Sequence, residues 1–502
     1  MKPMKNPVFP MRGPTAKLAV ALLLIISAAA AGQQLKSNNE ADPEFDPAAI
    51  ALMEKIKKEH LNPRYGFLWP GSGHSQWLGL TWSAERPKRL RALEIPPEDL
   101  TIGRDLGPPL TGFPDISGQP ALEKLSLPGL ICRPGTAFSP GGRPLPPAPA
   151  GSGGAVRLDL SDYNERLCPP ATLAHLPEIL PNLAELNLSG GHFQNRESYR
   201  FLSRFKRLRS LNLDRSNFTY LEDLPAIDGL KHLSLRSMAD NPPDIKSLAG
   251  LELHSLDLSH SGLIKTDGLE ELAELRRLKL AGNKIKSFRG SGLKRLEILD
   301  LSGNSIETGY KRNLDLGGLG QLKELYLEDN PLPHIEFPHE MPLVKLHLGR
   351  VGVFSGLENI SGLEELRLNG LAPDNDGGLR PSSRRFLLSG LNPLKNLKRL
   401  QIKGLTIDDR LLMEGSADSG QVFPNGLETD QVLMEVPPAL EELDLRQCRL
   451  YTLKGLPSAR VRRLNVSGNW SISCSWRAET AAGSGACQSP AALGINCPDP
   501  LN

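Results

Sequence analysis

The sequence predicts an α/β solenoid, in which similar coils stack side by side and each coil contributes one short strand to a continuous parallel sheet. Two observations lead to this prediction. Apolar residues, mostly leucines, follow a spacing that changes partway through each unit, and the unit recurs every 20 to 26 residues along the middle of the chain. Helical or extended segments would return the chain from one strand to the next.

The change of spacing is clearest between residues 260 and 288. Leu269, Leu272, Leu275 and Leu278 follow one another in steps of three, and Leu280 comes after a step of two. A step of three suits a tight helical or extended turn, whereas a step of two places side chains on one face of a strand. A unit this small has no core of its own, so it needs copies stacked beside it.

The copies are present along most of the chain. The leucine that opens the pattern L-x-x-L-x-L occurs at positions 183, 208, 230, 253, 275, 296, 322, 343 and 363. Later copies start at Leu397, Leu440 and Val461, and weaker ones start near Leu90, Leu122 and Ala155.

This pattern resembles the leucine-rich repeat family, and the resemblance covers roughly residues 85–471. The unit length is close to the family's short type, about 20–29 residues. The resemblance implies a horseshoe whose strands line the concave face, and it implies protein ligands. One further position recurs after the strand, where Asn or Cys would point inward and satisfy the turn backbone: Asn283, Asn304, Asn330, Cys448 and Asn469.

Residues 1–31 have the properties of a secretory signal peptide. The basic residues Lys2, Lys5, Arg12 and Lys17 precede an apolar run that begins at Leu18 and ends in alanines. The run of roughly 14 residues is short for a retained membrane anchor, which needs about 20. We therefore expect export, cleavage before Gly32 and no transmembrane segment in the mature chain.

An open solenoid exposes leucines at both ends, so we expect a cap before the first coil, within residues 32–84. Asp46 can begin a helix with Pro47 at its first position, and Ile50, Met53 and Ile56 would share one face. This segment resembles the N-terminal cap of plant-type leucine-rich repeat proteins, through the tryptophans Trp69, Trp77 and Trp82. The flanking cysteines of that family are absent, with Ser75 and Trp82 in their places.

Residues 472–502 resemble the cysteine-containing C-terminal cap of extracellular leucine-rich repeat proteins. The resemblance rests on Trp470, Cys474, Cys487 and Cys497. Family pairing would join Cys474 to Cys497 and leave Cys487 without a partner. Cys132 and Cys168 lie in neighbouring weak repeats and could form a second disulfide. Six cysteines in an exported chain favour an oxidising compartment, but the connectivity stays open.

Three insertions interrupt the repeats, at residues 133–154, 372–390 and 408–438. The first is rich in Pro and Gly and is typical of a flexible linker. Insertions in solenoids map to loops and often to binding sites. The second and third are therefore alternative places for a function.

Composition and motifs indicate no enzyme and no cofactor. Without the four basic residues of the signal peptide, the chain has 55 basic and 57 acidic residues, which gives no bulk attraction for nucleic acid. The stretch GSGHSQW at 71–77 lacks the second glycine of a hydrolase nucleophile elbow. No phosphate-binding loop and no metal-binding spacing of histidines or cysteines occurs.

Function is therefore expected on the outward face of the sheet. We call the middle outward residue of each strand the central column: Asn187, Asn212, Ser234, Asp257, Lys279, Asp300, Tyr326, His347, Arg367, Gln401, Asp444 and Asn465. The strands between residues 298 and 369 carry the richest set, because Tyr and Arg are favoured interface anchors. The candidate contact residues are Asp300, Glu324, Tyr326, Glu328, Lys345, His347 and Arg367. An ordinary solvated sheet face is the alternative.

The favoured interpretation is an exported, non-enzymatic module that binds a protein partner. Two alternatives stay open. One is a secreted effector or enzyme whose activity lies in an inserted loop, and the other is a structural component of the cell envelope.

Export leads to the first testable prediction. We expect the mature protein to begin near Gly32, because the apolar run ends in the small residues that signal peptidase requires. N-terminal sequencing of the purified protein checks this expectation. An intact chain that begins at Met1 and is recovered from the cytosol would contradict it.

Overall fold

A computed structural model describes the parts of the chain in which the repeats lie. The described residues are 45–59, 80–84, 88–94, 123–127, 157–163, 173–174, 176–193, 196–218, 221–238, 240, 242–307, 314–332, 334–337, 339–349, 353–370, 372–373, 379–380, 382–386, 391, 393–407, 437–448 and 461–467. Several predicted features lie outside these residues: the predicted signal peptide, Trp69, Trp77, residues 472–502 and the cysteines Cys132, Cys168, Cys474, Cys487 and Cys497.

Sixteen of the described strands form one sheet, in chain order. They are Leu80–Trp82, Leu90–Glu94, Lys124–Ser126, Arg157–Asp159, Glu185–Asn187, Ser210–Asn212, His232–Ser234, Ser255–Asp257, Arg277–Lys279, Ile298–Asp300, Glu324–Leu327, Lys345–Leu348, Glu365–Asn369, Arg399–Lys403, Glu442–Arg446 and Arg463–Asn465. Every pairing in this sheet is parallel except the first, Leu80–Trp82 with Leu90–Glu94. The predicted leucine-rich repeat solenoid is confirmed, including the weak repeats near Leu90, Leu122 and Ala155.

The segments that return the chain between strands are short, as the steps of three predict. Among the described residues they include the α-helical turn Leu176–Ile179 and the 3₁₀ helices Arg196–Arg204, Leu221–Ala226, Ile245–Leu248, Leu269–Glu271 and Leu357–Ile360. Elsewhere pairs of short strands take their place: Phe288–Arg289 with Leu314–Asp315, and His334–Glu336 with Val353–Ser355. Between these segments and the sheet, leucines such as Leu272, Leu275 and Leu278 are completely buried.

A buried polar residue joins each of the central coils to the coil before it. The side-chain oxygen of Asn304 accepts a hydrogen bond from the amide of Ile285 at 3.1 Å. Its side-chain nitrogen donates to the carbonyls of Leu280 and Leu301, both at 2.9 Å. Asn283 and Asn330 repeat this arrangement. The predicted inward position is confirmed for these three asparagines.

Cys448 occupies the same position in a later coil. It is completely buried, and its thiol donates to the carbonyls of Ile402 at 3.3 Å and Arg446 at 3.2 Å. The residue before this position has a left-handed backbone, for example at Gly303 (φ 63°) and Gln447 (φ 56°). Glycine is frequent there because it adopts positive φ without steric cost.

The helix Pro47–Glu59 precedes the sheet. Asp46 is its N-cap, because its carboxylate accepts a hydrogen bond from the amide of Ala48 at 2.9 Å. Met53 and Ile56 are buried against the hydrophobic core. The predicted helix start is confirmed, whereas the role of this segment as a cap stays a prediction.

Trp82 ends the antiparallel strand at this edge and is half-buried. Its ring contacts that of Phe45, with 4.7 Å between the ring centroids. Trp82 therefore packs against an aromatic ring at the position where the resemblance to the plant-type cap implies a cysteine.

The insertion at 372–390 contains short strands of its own. Ala372–Pro373 pairs antiparallel with Leu379–Arg380, and Ser382–Phe386 pairs in parallel with Leu405–Ile407. Residues 133–154 and 408–436 lie outside the described residues. Within the described part of the chain, no helix is both long enough and apolar enough to span a membrane.

The register of the sheet leads to a stability prediction. Leu278 is completely buried, and the next residue, Lys279, is exposed. Leu278→Asp places a carboxylate between stacked coils without a partner, which costs at least several kcal/mol. We expect a large loss of thermal stability, measured by circular dichroism. The control Lys279→Ala removes only an exposed contact of 3.9 Å to Asp257 and should change the free energy of unfolding by less than about 1 kcal/mol. Equal melting curves for Leu278→Asp and the wild type would contradict the register.

Candidate functional site

The central column lies in one continuous row across the sheet, as predicted. Tyr326 is directly paired with His347, His347 with Arg367, and Arg367 with Gln401. Neighbouring parallel strands lie about 4.8 Å apart. The side chains of successive column residues are therefore close enough to contact one another.

Many column residues are engaged by the turn that follows their own strand. A side-chain oxygen accepts a hydrogen bond from the amide two residues later at Asp159, Asn187, Asn212, Asp257, Asp300 and Asn465, at distances of 2.9–3.1 Å. This is the Asx turn, which only short Asp and Asn side chains form. Asp300, one of the candidate contact residues, thus has a structural role in its turn, and it also accepts from the Ser302 hydroxyl at 2.6 Å.

The side-chain types in the central column change in the strands from Tyr326 to Gln401. Tyr326, His347, Arg367 and Gln401 are side-chain types that form no Asx turn, so they are available for other contacts. Together with Asp444, whose carboxylate accepts a hydrogen bond from the Arg446 side chain at 2.9 Å, they form a run of five described strands whose column residues form no Asx turn. The stretch between residues 298 and 369, selected from composition alone, overlaps most of this region.

Tyr326 is held in place by two neighbours. Its hydroxyl donates to Glu324 at 2.7 Å, and its ring packs edge-on against that of His347, with 4.7 Å between ring centroids. Lys345 approaches the same Glu324 at 3.1 Å. Burial and the hydrogen bond to Glu324 raise the pKa of Tyr326, so the phenol remains a protonated donor at neutral pH.

His347 lies between two carboxylates and is only 7% exposed. Its Nε2 is 3.1 Å from Glu365 and its Nδ1 is 3.4 Å from Glu328. His347 is one of the predicted contact residues. Its small exposed surface leaves little area for a partner, and its ring contacts Tyr326 and Glu365. A direct role in binding stays a prediction.

Glu365 is the centre of this network, and the sequence analysis did not select it. It is 7% exposed and interacts with His347, with Arg367 at 2.9 Å and with Arg399 at 3.0 Å. Burial by itself raises the pKa of Glu365, but the hydrogen bonds from His347 and Arg399 and the charge of Arg367 outweigh it and lower the pKa. The pattern of the central column does not include Glu365, because Glu365 occupies the first outward position of its strand and Arg367 occupies the middle one.

A shallow groove continues this region toward the last described strands. It has a volume of about 460 Å³. Its polar lining residues are Glu365, Arg367, Arg399, Gln401, Glu442, Asp444, Arg463 and Asn465. The groove carries both signs of charge, and among the described residues no group of three or more His, Cys, Asp or Glu could hold a metal ion.

The network leads to a prediction for Glu365→Gln. The carboxylate pairs with two arginines and a histidine, and its replacement leaves those donors poorly compensated, at a cost of about 1–3 kcal/mol. We expect this loss of unfolding free energy in urea at pH 7. The control Glu328→Gln removes a more exposed carboxylate with one longer contact to His347 and costs less.

The pH dependence tests the cause of that loss. Because the folded-state pKa of Glu365 is lowered, its contribution is complete above the unfolded-state value of about 4.3 and disappears as the pH falls through the folded-state value. The difference between wild type and Glu365→Gln should therefore shrink below about pH 4. An equal difference at pH 7 and at pH 3 would show that the charge of Glu365 is not responsible.

Comparisons with known proteins describe the general architecture only. No protein-family model and no curated protein matches the sequence. Similar solved structures include an internalin from Listeria monocytogenes, at 20% identity over 60% of this chain and 79% of that chain, with a TM-score of 0.40. A chain in the mouse RP105/MD-1 complex matches at 17% identity over 69% of this chain and 55% of that chain, with a TM-score of 0.43. The assignment of the solenoid rests on the strand order and register of the chain itself.

Proposed function

We propose that this protein is an exported, non-enzymatic module that binds a protein partner on the outward face of its sheet, around Tyr326 and Arg367. The observation that carries this proposal is the division of the central column. Most Asp and Asn residues elsewhere in the column form Asx turns, whereas the four strands from Tyr326 to Gln401 present larger side chains that form none.

The contacts of the two anchors support the proposal, because they hold each side chain in one orientation. Tyr326 is fixed by Glu324 and His347, and Arg367 is fixed by Glu365. Side chains that are ordered before binding lose less conformational entropy when the partner arrives. Tyr and Arg in such positions are the residues most often found as binding hot spots.

Both anchors keep accessible surface. Tyr326 is half-buried, and the side chain of Arg367 is 48% exposed. Lys345, 35% exposed, and Glu328, 31% exposed, lie beside them as a charged border. The groove on the far side of Arg367 extends this surface with mixed charges, which favours a partner that carries both signs of charge rather than a uniformly charged one.

Two alternatives from the sequence are kept. An enzyme or effector would place its chemistry in an inserted loop such as 408–438, and a structural component of the envelope would need no specific partner. Export itself is proposed on the composition of residues 1–31.

The central experiment is a quantitative pull-down with the mature protein as bait, which compares wild type with Tyr326→Ala/Arg367→Ala. We expect the double variant to lose most of the specifically captured protein, because truncation of a hot-spot residue typically costs about 2 kcal/mol or more. Lys279→Ala is the matched control, since Lys279 lies in the same column on an exposed strand position outside the proposed site.

Deletion of residues 408–435 tests whether the partner binds the outward face of the sheet or the third insertion. The proposal predicts that this deletion leaves capture intact. Undiminished capture by the double variant, together with loss of capture in the deletion, would place the site in the insertion. Circular dichroism must show that each variant keeps the wild-type fold.

A further inference from the structure

Two rows of side chains run across the sheet where the chain enters each strand. One row consists of the residue before each strand, and the other of the first residue of the strand. The amide of Lys231 donates to the carbonyl of Arg209, that of His254 to Lys231, and that of Arg276 to His254, all at 2.8–2.9 Å. The residues of each row are therefore direct neighbours in space. We call these the two entry rows.

In the later coils the positive and negative charges of the entry rows largely cancel. Acidic and basic residues alternate from coil to coil and form ion pairs across the strands. The pairs are Glu324 with Lys345 at 3.1 Å, Glu364 with Lys398 at 2.8 Å, Glu365 with Arg399 at 3.0 Å and Glu442 with Arg463 at 2.8 Å.

In four earlier coils the same rows contain no acidic residue. Their members are Arg209, Ser210, Lys231, His232, His254, Ser255, Arg276 and Arg277. We call this set the cationic stripe. Glu185 precedes it in the first-residue row and Glu297 follows it in the other row, so the stripe has defined ends. Its length across four strands is about 14 Å.

Much of the positive charge of the stripe is exposed and only partly compensated. Lys231 pairs with Glu252 at 2.9 Å. Arg276 is 3.9 Å from Glu297, but that carboxylate is closer to Lys323, at 2.8 Å.

The other two positive charges of the stripe belong to Arg209 and Arg277. Arg209 and Arg277 are exposed. Arg209 donates to the carbonyl of Gly229 at 2.8 Å, and Arg277 forms no ion pair within the described part of the chain.

The charge state of His254 is consistent with a positive local field. Burial, followed by the charges of Lys231, Arg276 and His232, holds the pKa of His254 below its ordinary value, and the nearby Glu274 opposes this only weakly. The rings of His232 and His254 lie edge to face, with 6.4 Å between their centroids. The lowered pKa keeps His254 neutral at neutral pH, and the neutral ring still carries one hydrogen-bond donor.

We propose that the cationic stripe binds an acidic, extended polypeptide segment of a partner. Carboxylates fit because the later coils pair these same two rows with glutamates at 2.8–3.1 Å. Alternate side chains of an extended peptide are about 6.6 Å apart, so two or three carboxylates fit along the stripe. The stripe lies in other coils than the Tyr326 surface and in other rows than its anchors Tyr326 and Arg367, and the proposal does not depend on the function assigned above.

The charge density of the stripe favours a peptide over a nucleic acid. Double-stranded DNA carries one charge per about 1.7 Å of its axis. The stripe offers four permanent cations over about 14 Å, and Glu252 and Glu297 offset part of that charge. The carboxylates of an extended peptide, about 6.6 Å apart, match the spacing of these cations better than the phosphates of DNA do.

The probe for the test is a fluorescein-labelled peptide of about twelve residues in which Glu alternates with Gly, and the same peptide with Gln in place of Glu is the neutral reference. Binding to the full mature chain is followed by fluorescence anisotropy at low salt. We expect the Glu peptide to bind, the Gln peptide not to bind, and affinity to fall as salt is raised to about 0.15 M. Arg276→Gln/Arg277→Gln should weaken binding about tenfold, as the loss of two exposed charge pairs implies.

The chain contains a matched control. Arg462 and Arg463 occupy the same two rows at the other end of the sheet and also precede a buried leucine, but Arg463 is paired with Glu442. Arg462→Gln/Arg463→Gln should change the affinity less than about twofold, and Tyr326→Ala/Arg367→Ala should leave it unchanged. Thermal melts confirm that the variants are folded.

Three results would overturn the proposal. They are equal weakening by both arginine pairs, unchanged binding of Arg276→Gln/Arg277→Gln, and binding of inorganic polyphosphate or heparin without binding of the Glu peptide. The last result would assign the stripe to a polyanion of a different class.

Discussion

The structure depends on a shared core, since no single coil encloses enough apolar surface to fold alone. Leucines of each coil pack on those of the next, and a buried polar residue three positions after the second strand leucine bonds to the backbone of its own coil and of the preceding one. Asn283, Asn304 and Asn330 perform this role with two donors and an acceptor. Unpaired backbone groups at these depths would be costly. Asn is favoured because one side chain satisfies groups from two coils.

This constraint also decides which surface residues are available for function. The strand must turn sharply after its last outward residue, and in many coils an Asp or Asn at that position stabilises the turn. Such a residue is outward-facing and polar, yet part of the architecture. The strands from Tyr326 to Gln401 turn without this help. Their column side chains are instead organised by Glu324 and Glu365, which connect tyrosine, histidine and arginine residues of neighbouring coils.

The same sheet carries two electrostatic regimes. Where acidic and basic residues alternate between coils, as at Glu324 and Lys345 or at Glu442 and Arg463, the surface neutralises itself. Where four coils in succession place only Arg, Lys, His and Ser in the entry rows, the surface keeps a positive excess although the whole chain is nearly neutral. A solenoid permits this because each coil meets only its neighbours, so charge can vary along the array without disturbing the fold.

The repeating sequence pattern predicts the solenoid, the positions of its strands, the inward leucines and the inward Asn and Cys, because a repeating core requires a repeating pattern of side chains. Residue types alone also suggest the Tyr326–Arg367 region as a candidate site. The turn formed by Asp300, the burial of His347 between Glu328 and Glu365, and the place of Glu365 in the network appear only in the folded chain. These roles depend on contacts across coils, such as those that join Glu365 to His347 and to Arg399, 18 and 34 residues away. The pattern of one repeat does not contain that information, because it specifies which side chains face outward but not which neighbour each of them meets.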